Sequence, residues 1–560
     1  MFPVLSANGT SGYNLNNSLR FRASASAYLS RTPASAGNRQ IFTVSAWVKR
    51  GTLGVDQKIF SAYGGTSDDS GVFDVRFSSA DVLYIGDWNT GLTTTAVFRD
   101  PSAWYHIVIA VDTTQATGTN RIKAYVNGVQ YTLSGTAFVQ NVTTPWNNNV
   151  AQNIGRNATA SNTYFDGYMA EFYNIDGQAL TPSSFGSTSA TTGVWQPAKY
   201  TGTYGTNGFY LNFNSIALTS GSNTGLGKDN SGNGNYWNTN NISVTAGTTY
   251  DAMTDVPTLT SATVANYATM NPLELGDGAP AALSNGNLTI TGSASLYLRR
   301  GTMNFPTTGK YYCEFTVTAV GSGVSIAYDS RGQSGATQFI QYDNGGTKNV
   351  NGTTTSYGAS FTTGDVIALA VDEDAGNVYF YKNNTSQGAI SLSSASMTGV
   401  NATAMVFAYT SAIVNANFGQ RPFSYTPPSG YVALNTYNLP TPTILQGNKY
   451  MDATAYTGTN GSPTTQVISS NFQPDFLWFK KRSAAYDHAL IDTTRGITKQ
   501  LYSNLTNSEG TDSDVLSAIG ASSFTVGNSN YSNYGTLVAW TWKANGGTTS
   551  SNTSGSITST

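Results

Sequence analysis

The sequence holds two histidines, His106 and His488, so acid–base chemistry would have to lean on carboxylates. Retaining glycoside hydrolysis needs two carboxyl groups about 5–5.5 Å apart, which on a strand means an even spacing along one face. The nearest pair, Glu171 and Asp176, is an odd number of positions apart and points to opposite faces of any continuous strand. Asp372-Glu373-Asp374 falls at a hairpin turn, where acidic residues are ordinary turn formers. His106 lies inside an apolar run and reads as a hydrogen-bonded core or interface group. His488 has Asp487 and Asp492 nearby, but no G-x-S-x-G nucleophile motif accompanies it, and a structural role is the expectation. Cys313 is expected to be a buried free thiol. No catalytic residue is assigned, and the chain is read as a non-enzyme.

Ligand binding has better material. Asp229, Ser231 and Asn233 alternate ahead of Gly234, as at the start of a calcium loop, but the closing acidic position is Asn240. The stretch reads as a turn cluster; no metal or other cofactor is assigned, and calcium is left without identifiable ligands. Sugars are held by aromatic faces against their C–H surfaces and by Asn, Asp and Gln side chains at their hydroxyls. That mixture occurs at Asp87-Trp88-Asn89, at Trp146-Asn147-Asn148-Asn149, at Tyr236-Trp237-Asn238, and around Asn528, Asn530, Tyr531, Asn533 and Tyr534. The candidate glycan-binding residues are Trp88, Asn89, Trp146, Asn147, Tyr236, Trp237, Tyr531 and Tyr534. With 34 tyrosines in the chain, some aromatic–Asn neighbours must belong to cores instead.

The elements that carry these residues are strands. In Ile41 to Val48 the residues Phe42, Val44, Ala46 and Val48 share one face, while Thr43, Ser45 and Trp47 share the other. Tyr105 to Val111 is a short, nearly continuous apolar run with β-branched residues, the pattern of a strand covered on both faces. Ile122 to Val126 runs into the turn Asn127-Gly128. Such strands recur between Gly, Asn, Ser and Thr, which predicts an all-β chain of tandem jelly-roll sandwiches with a smaller β-rich module at the C-terminus. The chain also repeats itself: a buried strand ending in Asp112, then a strand with Tyr125, is echoed by Val366 to Asp372 and Val378 to Lys382. Boundaries follow at small polar residues and proline: a sandwich over 1–187, a Gly/Asn-rich connector over 188–265, a second sandwich over 266–439, a Pro linker over 440–446, a module over 447–545 and a flexible tail over 546–560.

Composition excludes other classes. The chain has 560 residues, 10% of them charged, with a formal net charge of -2. That balance leaves no electrostatic footprint for nucleic acid and no polybasic patch for an anionic membrane. No apolar stretch approaches the ~18 residues of a spanning helix, so no membrane insertion is expected. One cysteine rules out an intramolecular disulfide framework.

Three sets of residues carry a family resemblance. Phe42 to Val48, Trp104 to Gly128, Asn153-Ile154-Gly155-Arg156 and Phe165 to Tyr173 resemble laminin-G-like, concanavalin-A-type jelly rolls. Gly309 to Phe315, Gly364 to Lys382, and Asn417-Phe418-Gly419-Gln420-Arg421-Pro422-Phe423 resemble a SPRY domain. Phe472 to Lys480, Asp487-His488, Asp492 to Gly496 and Ala539-Trp540-Thr541-Trp542 resemble a Trp-x-Trp module of phage tail-fibre and virion proteins. The combination resembles a bacteriophage fibre or appendage protein. It implies a virion protein on the particle exterior, made in the bacterial cytoplasm, whose partners are other virion proteins and a host surface glycan or protein receptor. The resemblance to fibres further implies a homo-oligomer, with a trimer expected. A head-decoration or purely structural fibre and a glycan depolymerase are the alternatives. No sustained heptad pattern is present, so the resemblance leaves virion attachment either to the first sandwich or to residues beyond Thr560.

Overall fold

In the computed structural model of the chain, the described residues are 12–544 apart from 67–70, 88–89, 161, 219–220, 274–280, 293–297 and 331–337. The fold is all-β, and the chain divides into two units, Met1–Pro442 and Thr443–Thr560. Among the described residues no helix is long and apolar enough to cross a membrane.

The first sandwich pairs two sheets. One runs Val129–Tyr131, Ile122–Val126, Trp104–Asp112, Ile41–Arg50, Gly167–Asp176, Ser18–Phe21 and Ala252–Met253. The other runs Leu133–Gly135, Gly91–Val97, Val82–Gly86, Val72–Phe77, Gln57–Tyr63, Gln152–Ile154, Tyr28–Arg31 and Asn238–Asn240. Period two sets the core between them: Phe42, Val44, Ala46 and Val48 join Phe60, Phe73, Ile109 and Phe172 there. The opposite face of Ile41–Arg50 is buried as well, because further layers cover it. There Trp47 packs into the core of the second sandwich, and the Ser45 hydroxyl meets His106 Nε2 at 2.8 Å.

Residues 188–265, expected as a connector, instead complete this sandwich. Phe209–Leu211 pairs with Gly167–Asp176, Asn238–Asn240 with Tyr28–Arg31, and Ala252–Met253 with Ser18–Phe21. These pairings span two or three residues between Gly/Asn turns, too short to show a period in sequence. Buried charges then lock the segment in place: Asp251 accepts Arg20 Nε at 3.0 Å and Arg22 Nε at 2.8 Å, and Asp255 accepts Lys49 Nζ at 2.8 Å and Trp104 Nε1 at 3.0 Å.

The second sandwich has one sheet ordered Ala282–Ser284, Thr289–Thr291, Ile413–Asn417, Lys310–Ala319, Val366–Asp372, Asn377–Lys382 and Thr385–Ser391. Against it lies a sheet of Leu298–Arg300, Thr403–Ala408, Val324–Asp329, Phe339–Asp343, Thr347–Val350 and Thr353–Ser356. Cys313 is a buried free thiol in this core, as its strand position predicts.

The unit Thr443–Thr560 is smaller. Met451–Thr457, Thr536–Trp542, Phe476–Lys481 and Ala489–Asp492 form one sheet, and Gln466–Ser469, Ser523–Val526 and Leu516–Gly520 another. Leu477, Phe479, Ile491, Phe524 and Val526 fill its core.

Candidate functional site

A polar pocket of about 370 Å3 opens on the outer face of the first sandwich, over the strand Gly167–Asp176. Three stretches meet there: Tyr13 to Asn17 ahead of Ser18–Phe21, the residues around Phe209–Leu211, and Lys199 before it. Glu171 lies at its base, only 6% exposed. The register explains how a charged residue comes to point there. Ala170 pairs with Trp47 and Tyr173 with Ser45, so the Glu171 strand carries one extra residue, a β-bulge. Glu171 sits in it at φ +51°, a left-handed conformation that a non-glycine residue holds only at a cost of order 1–3 kcal/mol. Such strain persists where the surroundings over-determine it, and it concentrates at functional sites.

Three phenols enclose the carboxyl. Tyr13 and Tyr173 donate to Oε2 at 2.8 and 2.7 Å, and Tyr210 donates to Oε1 at 2.7 Å. The Tyr13 and Tyr210 hydroxyls also lie 2.7 Å from each other. Tyr173 and Tyr210 stack with centroids 4.4 Å apart and planes 7° from parallel, which fixes two of the phenols side by side. Burial pushes the Glu171 carboxyl above the usual carboxylate range, against the opposing pull of the phenol bonds and the Lys199 ammonium. Burial and the adjacent carboxyl raise all three phenols in turn.

The mouth is lined by amides. Asn14, Asn16, Asn17, Asn212, Asn214 and Asn230 surround it. Asn212 Oδ1 accepts from Asn230 Nδ2 at 2.9 Å, so these two brace one another. The side chains of Asn16, Asn17, Asn214 and Lys199 hold no hydrogen-bond or ion-pair partner among the described residues. Chemically, the pocket offers uncommitted donors and acceptors at its rim and a ring of hydroxyls on its floor.

The aromatic–Asn loops expected to bind glycan fare differently. Trp146, Asn147 and Trp237 are fully buried, which corrects their assignment as binding residues. Trp146 packs at a tilt against Phe60 at 4.7 Å and stacks on Trp237 at 6.3 Å, and its Nε1 donates to Asn174 Oδ1 at 2.9 Å. Asn147 holds the loop to Asn38 and Asn174. Tyr236 stays half-buried beside them. Trp88 and Asn89 lie outside the described residues. In the C-terminal unit, half-buried Tyr531 packs on Tyr486 at 4.9 Å, and Tyr534 donates to Asn528 Oδ1 at 2.8 Å. Sequence reasoning singled out Glu171 only as half of a catalytic pair and missed Tyr13, Tyr210 and Lys199 altogether. The signal available was an aromatic leading an amide-rich run, Tyr13-Asn14-Leu15-Asn16-Asn17.

The other chemical candidates are accounted for locally. Asp176 lies on the face opposite Glu171 and accepts from the amides of Asn38 at 2.7 Å and Asn207 at 2.8 Å. His106 accepts from Trp195 Nε1 at 2.9 Å, and burial pushes its imidazole down to about 3. His488 accepts from Trp478 Nε1 at 2.7 Å, while Asp492 pairs with Arg495 at 2.6 Å. The Asp229 carboxylate does not fit a calcium ligand. It accepts from the amides of Tyr210, Ser231 and Asn235 and from the Ser231 hydroxyl, at 2.8–2.9 Å, and so closes its own loop.

Family comparisons agree with this architecture. The concanavalin A-like lectin/glucanases superfamily matches residues 23–185, the SPRY domain matches 310–421, and a domain of unknown function, DUF7483, matches 446–560. No curated protein matches the sequence. Among solved structures, the SPRY domain of human HERC1 is 19% identical, covering 24% of this chain and 91% of its own, with a TM-score of 0.21. Domains LG4-5 of the mouse laminin alpha1 chain are 10% identical, with 78% of this chain and 98% of theirs covered and a TM-score of 0.25. The heptameric SAP-like pentraxin of Limulus polyphemus is 15% identical, with 30% and 78% covered and a TM-score of 0.23. The chain thus joins a laminin G-like, concanavalin A-type sandwich to a SPRY-type domain.

Proposed function

We propose that the protein is an adhesive appendage subunit of a phage particle, a tail fibre, that binds host surface glycan through the Glu171 pocket. The observation that carries the reading is the pocket itself: uncommitted amides and an ammonium gathered over a hydroxyl floor, on a lectin-like sandwich. A saccharide is the ligand that matches it, since hydroxyls both donate and accept and amides answer both. The rigid sheet beneath fixes the floor, and the rim comes from loops and from the segment ahead of Ser18–Phe21, where binding groups ordinarily sit. The assignment to a phage rests on the motif combination and on low-charge β structure without disulfides, which tolerates assembly in a bacterial cytoplasm. Weak single contacts become firm adhesion when copies act together, and a homotrimer is the assembly we expect. The role we propose is binding rather than cleavage: among the described residues lining the pocket Glu171 is the single carboxyl, with Asp176 on the far face.

The test is binding of labelled full-length protein to host cells, to non-host cells and to periodate-oxidised host cells. Host-selective binding that periodate destroys, and that Asn16→Ala with Asn214→Ala weakens at least tenfold, is the expected result. Selective binding that both treatments leave intact overturns the glycan reading. No selective binding by the assembled oligomer points instead to a structural or head-decoration fibre.

A further inference from the structure

We infer that the first sandwich carries a second saccharide site, a pocket over the strands Trp104–Asp112 and Ile122–Val126 that takes one sugar unit between Lys123, Tyr125, Asn120 and Asp112. The inference rests on the saccharide reading above for the class of ligand and adds a site to it.

The pocket has a volume of about 270 Å3 and lies on the outer face of the same sheet as the Glu171 pocket. The register puts its groups there. Tyr125 pairs with Val108 and Lys123 with Ala110, so these residues share one face with Asp112, while Ile109, Val111, Ile122 and Ala124 fill the core behind them. Asn120 ends the short turn Gly118–Asn120 between the two strands, and Leu180 lines the pocket from the segment that follows Gly167–Asp176. Both segments are tied down. Arg121 donates to the carbonyls of Gln115 at 2.8 Å, Ala116 at 2.8 Å and Phe138 at 2.6 Å, and the Leu180 amide donates to Thr43 Oγ1 at 2.8 Å. A cavity held in this way is formed before a ligand arrives, which lowers the cost of binding.

Three of its polar groups are unspent. Tyr125 is 7% exposed, in one apolar cluster with Val108, Ala110 and Phe185. Its hydroxyl nevertheless holds no hydrogen-bond partner among the described residues. Buried polar groups are nearly always met by a partner, so one that lacks it calls for water or a ligand in the cavity that it lines. Burial pushes this phenol above its ordinary range, which keeps it both a donor and an acceptor. The half-buried Lys123 ammonium and the Asn120 side-chain amide likewise hold no partner among the described residues. Asp112 takes the amide and hydroxyl of Thr114 on Oδ1, at 3.1 and 2.5 Å, and the Gln115 amide on Oδ2 at 2.6 Å. One lone pair of Oδ2 is left over.

This mixture narrows the ligand. An anion that answers Lys123 also meets the Asp112 carboxylate, and a cation meets the reverse. An apolar molecule leaves the ammonium, the phenol and the amide unanswered. A sugar hydroxyl donates to Asp112 and accepts from Lys123, while ring C–H groups lie against Ala110 and Leu180. The cavity falls just below the ~300–1,000 Å3 of sites that enclose drug-sized ligands, so it suits a single unit at the end or a branch of a chain. The Glu171 strand lies two to three places along the sheet, roughly 10–14 Å at the usual strand spacing. Two sites that close engage two units of one glycan, and the second contact gains from a high effective concentration.

The experiment is an array of bacterial surface oligosaccharides probed with the full-length protein. The variants are Lys123→Met, Tyr125→Phe, the pair Asn16→Ala with Asn214→Ala, and that pair combined with Lys123→Met. Tyr125→Phe deletes only an unpartnered hydroxyl, so its Tm should match wild type, and a fall in Tm overturns the premise. We expect Tyr125→Phe to weaken binding roughly three- to tenfold and Lys123→Met about tenfold or more. The combined variant binds more weakly than either parent. Wild-type binding by both Lys123→Met and Tyr125→Phe overturns the second site and leaves the Glu171 pocket standing. Binding lost in Lys123→Met but untouched by the Asn16 and Asn214 substitutions supports this site and overturns the Glu171 assignment. No binding of any member by wild type overturns the saccharide reading, and the ligand class of both pockets with it.

Discussion

Both sandwiches of the larger unit bury a glutamate on the outer face of a ten-residue strand, with a tyrosine two positions away. Glu171 has Tyr173 at 2.7 Å, and Glu314 has Tyr312 at 3.0 Å. Burial raises both carboxyls above the usual range. The remaining partners differ. Glu314 accepts from the backbone amides of Ser424 at 2.7 Å and Tyr425 at 2.9 Å, which pins the segment following residues 417–423 to the sheet. Backbone amides only donate, so they demand acceptors and leave Glu314 nothing to exchange. The partners of Glu171 are hydroxyls, each able to donate or accept, and a cavity stands over them. The same residue pair is thus a staple in one sandwich and an adaptable floor in the other.

The sharpest way to break this comparison is one substitution made twice. Glu314→Gln must turn its NH2 toward Ser424 or Tyr425, donor against donor in a buried site. Leaving a buried group unsatisfied costs about 1–3 kcal/mol. Glu171→Gln faces hydroxyls that can turn to accept from its NH2, and it should change stability by less than about 0.5 kcal/mol. Denaturant unfolding of the two variants checks both numbers. Equal costs would mean that the Glu171 floor is a staple too.

A smaller effect separates the two by pH. A carboxyl whose folded value is raised contributes stability that is present below its unfolded value, about 4.3, and is lost as pH rises through the folded one. Wild type should therefore lose stability relative to Glu171→Gln with rising pH, by at most about 1.4 kcal/mol per pH unit. His106, held neutral, slopes the other way, but it is common to both proteins and cancels in the difference. Thermal unfolding from pH 5 to pH 8 checks this, and parallel curves for the two proteins would mean that burial does not raise the Glu171 carboxyl.

Tyr312→Phe sharpens the contrast at the level of one hydroxyl. It takes one hydroxyl donor from Glu314 and leaves both backbone amides satisfied. A loss of about 0.5–1.5 kcal/mol is expected. Tyr173→Phe takes one of the three phenols from Glu171 at a similar cost. Each lost hydroxyl favoured the ionised carboxyl, so both variants raise their glutamate. The larger shift is expected at Glu171, which keeps no backbone amide donor among the described residues, whereas Glu314 keeps two. Unfolding curves at two pH values distinguish the cases.

The strands of both sandwiches were legible because Phe42, Val44, Ala46 and Val48, or Ile367, Leu369 and Val371, alternate over enough residues to show a period. The Glu171 floor was not. Tyr13 reaches it from 158 residues away in sequence, and Tyr210 arrives on a three-residue strand within what reads as a connector. The bulge that turns Glu171 outward leaves no mark in composition, since nothing distinguishes Ala170-Glu171-Phe172 from an unbulged run. Trp146 and Trp237 misled for the opposite reason. An aromatic beside Asn has the chemistry of a sugar contact, and adjacency in sequence does not say whether Phe60 and Phe209 will cover the ring.

The smallest effect expected is also the most local. Lys199 is exposed and bonded to nothing among the described residues, so Lys199→Met should leave stability within about 0.5 kcal/mol of wild type. Its ammonium nevertheless favours the ionised form of Glu171. Without it, the pH at which the loss of stability through Glu171 levels off should move upward, while the corresponding behaviour of Glu314 stays where it was. Unfolding curves of Lys199→Met across the same pH range read that shift directly. A midpoint that does not move would place the ammonium in solvent, electrically out of reach of the carboxyl. The mouth and the floor of the pocket would then act separately, and Glu171 would differ from Glu314 only in the kind of donor that surrounds it.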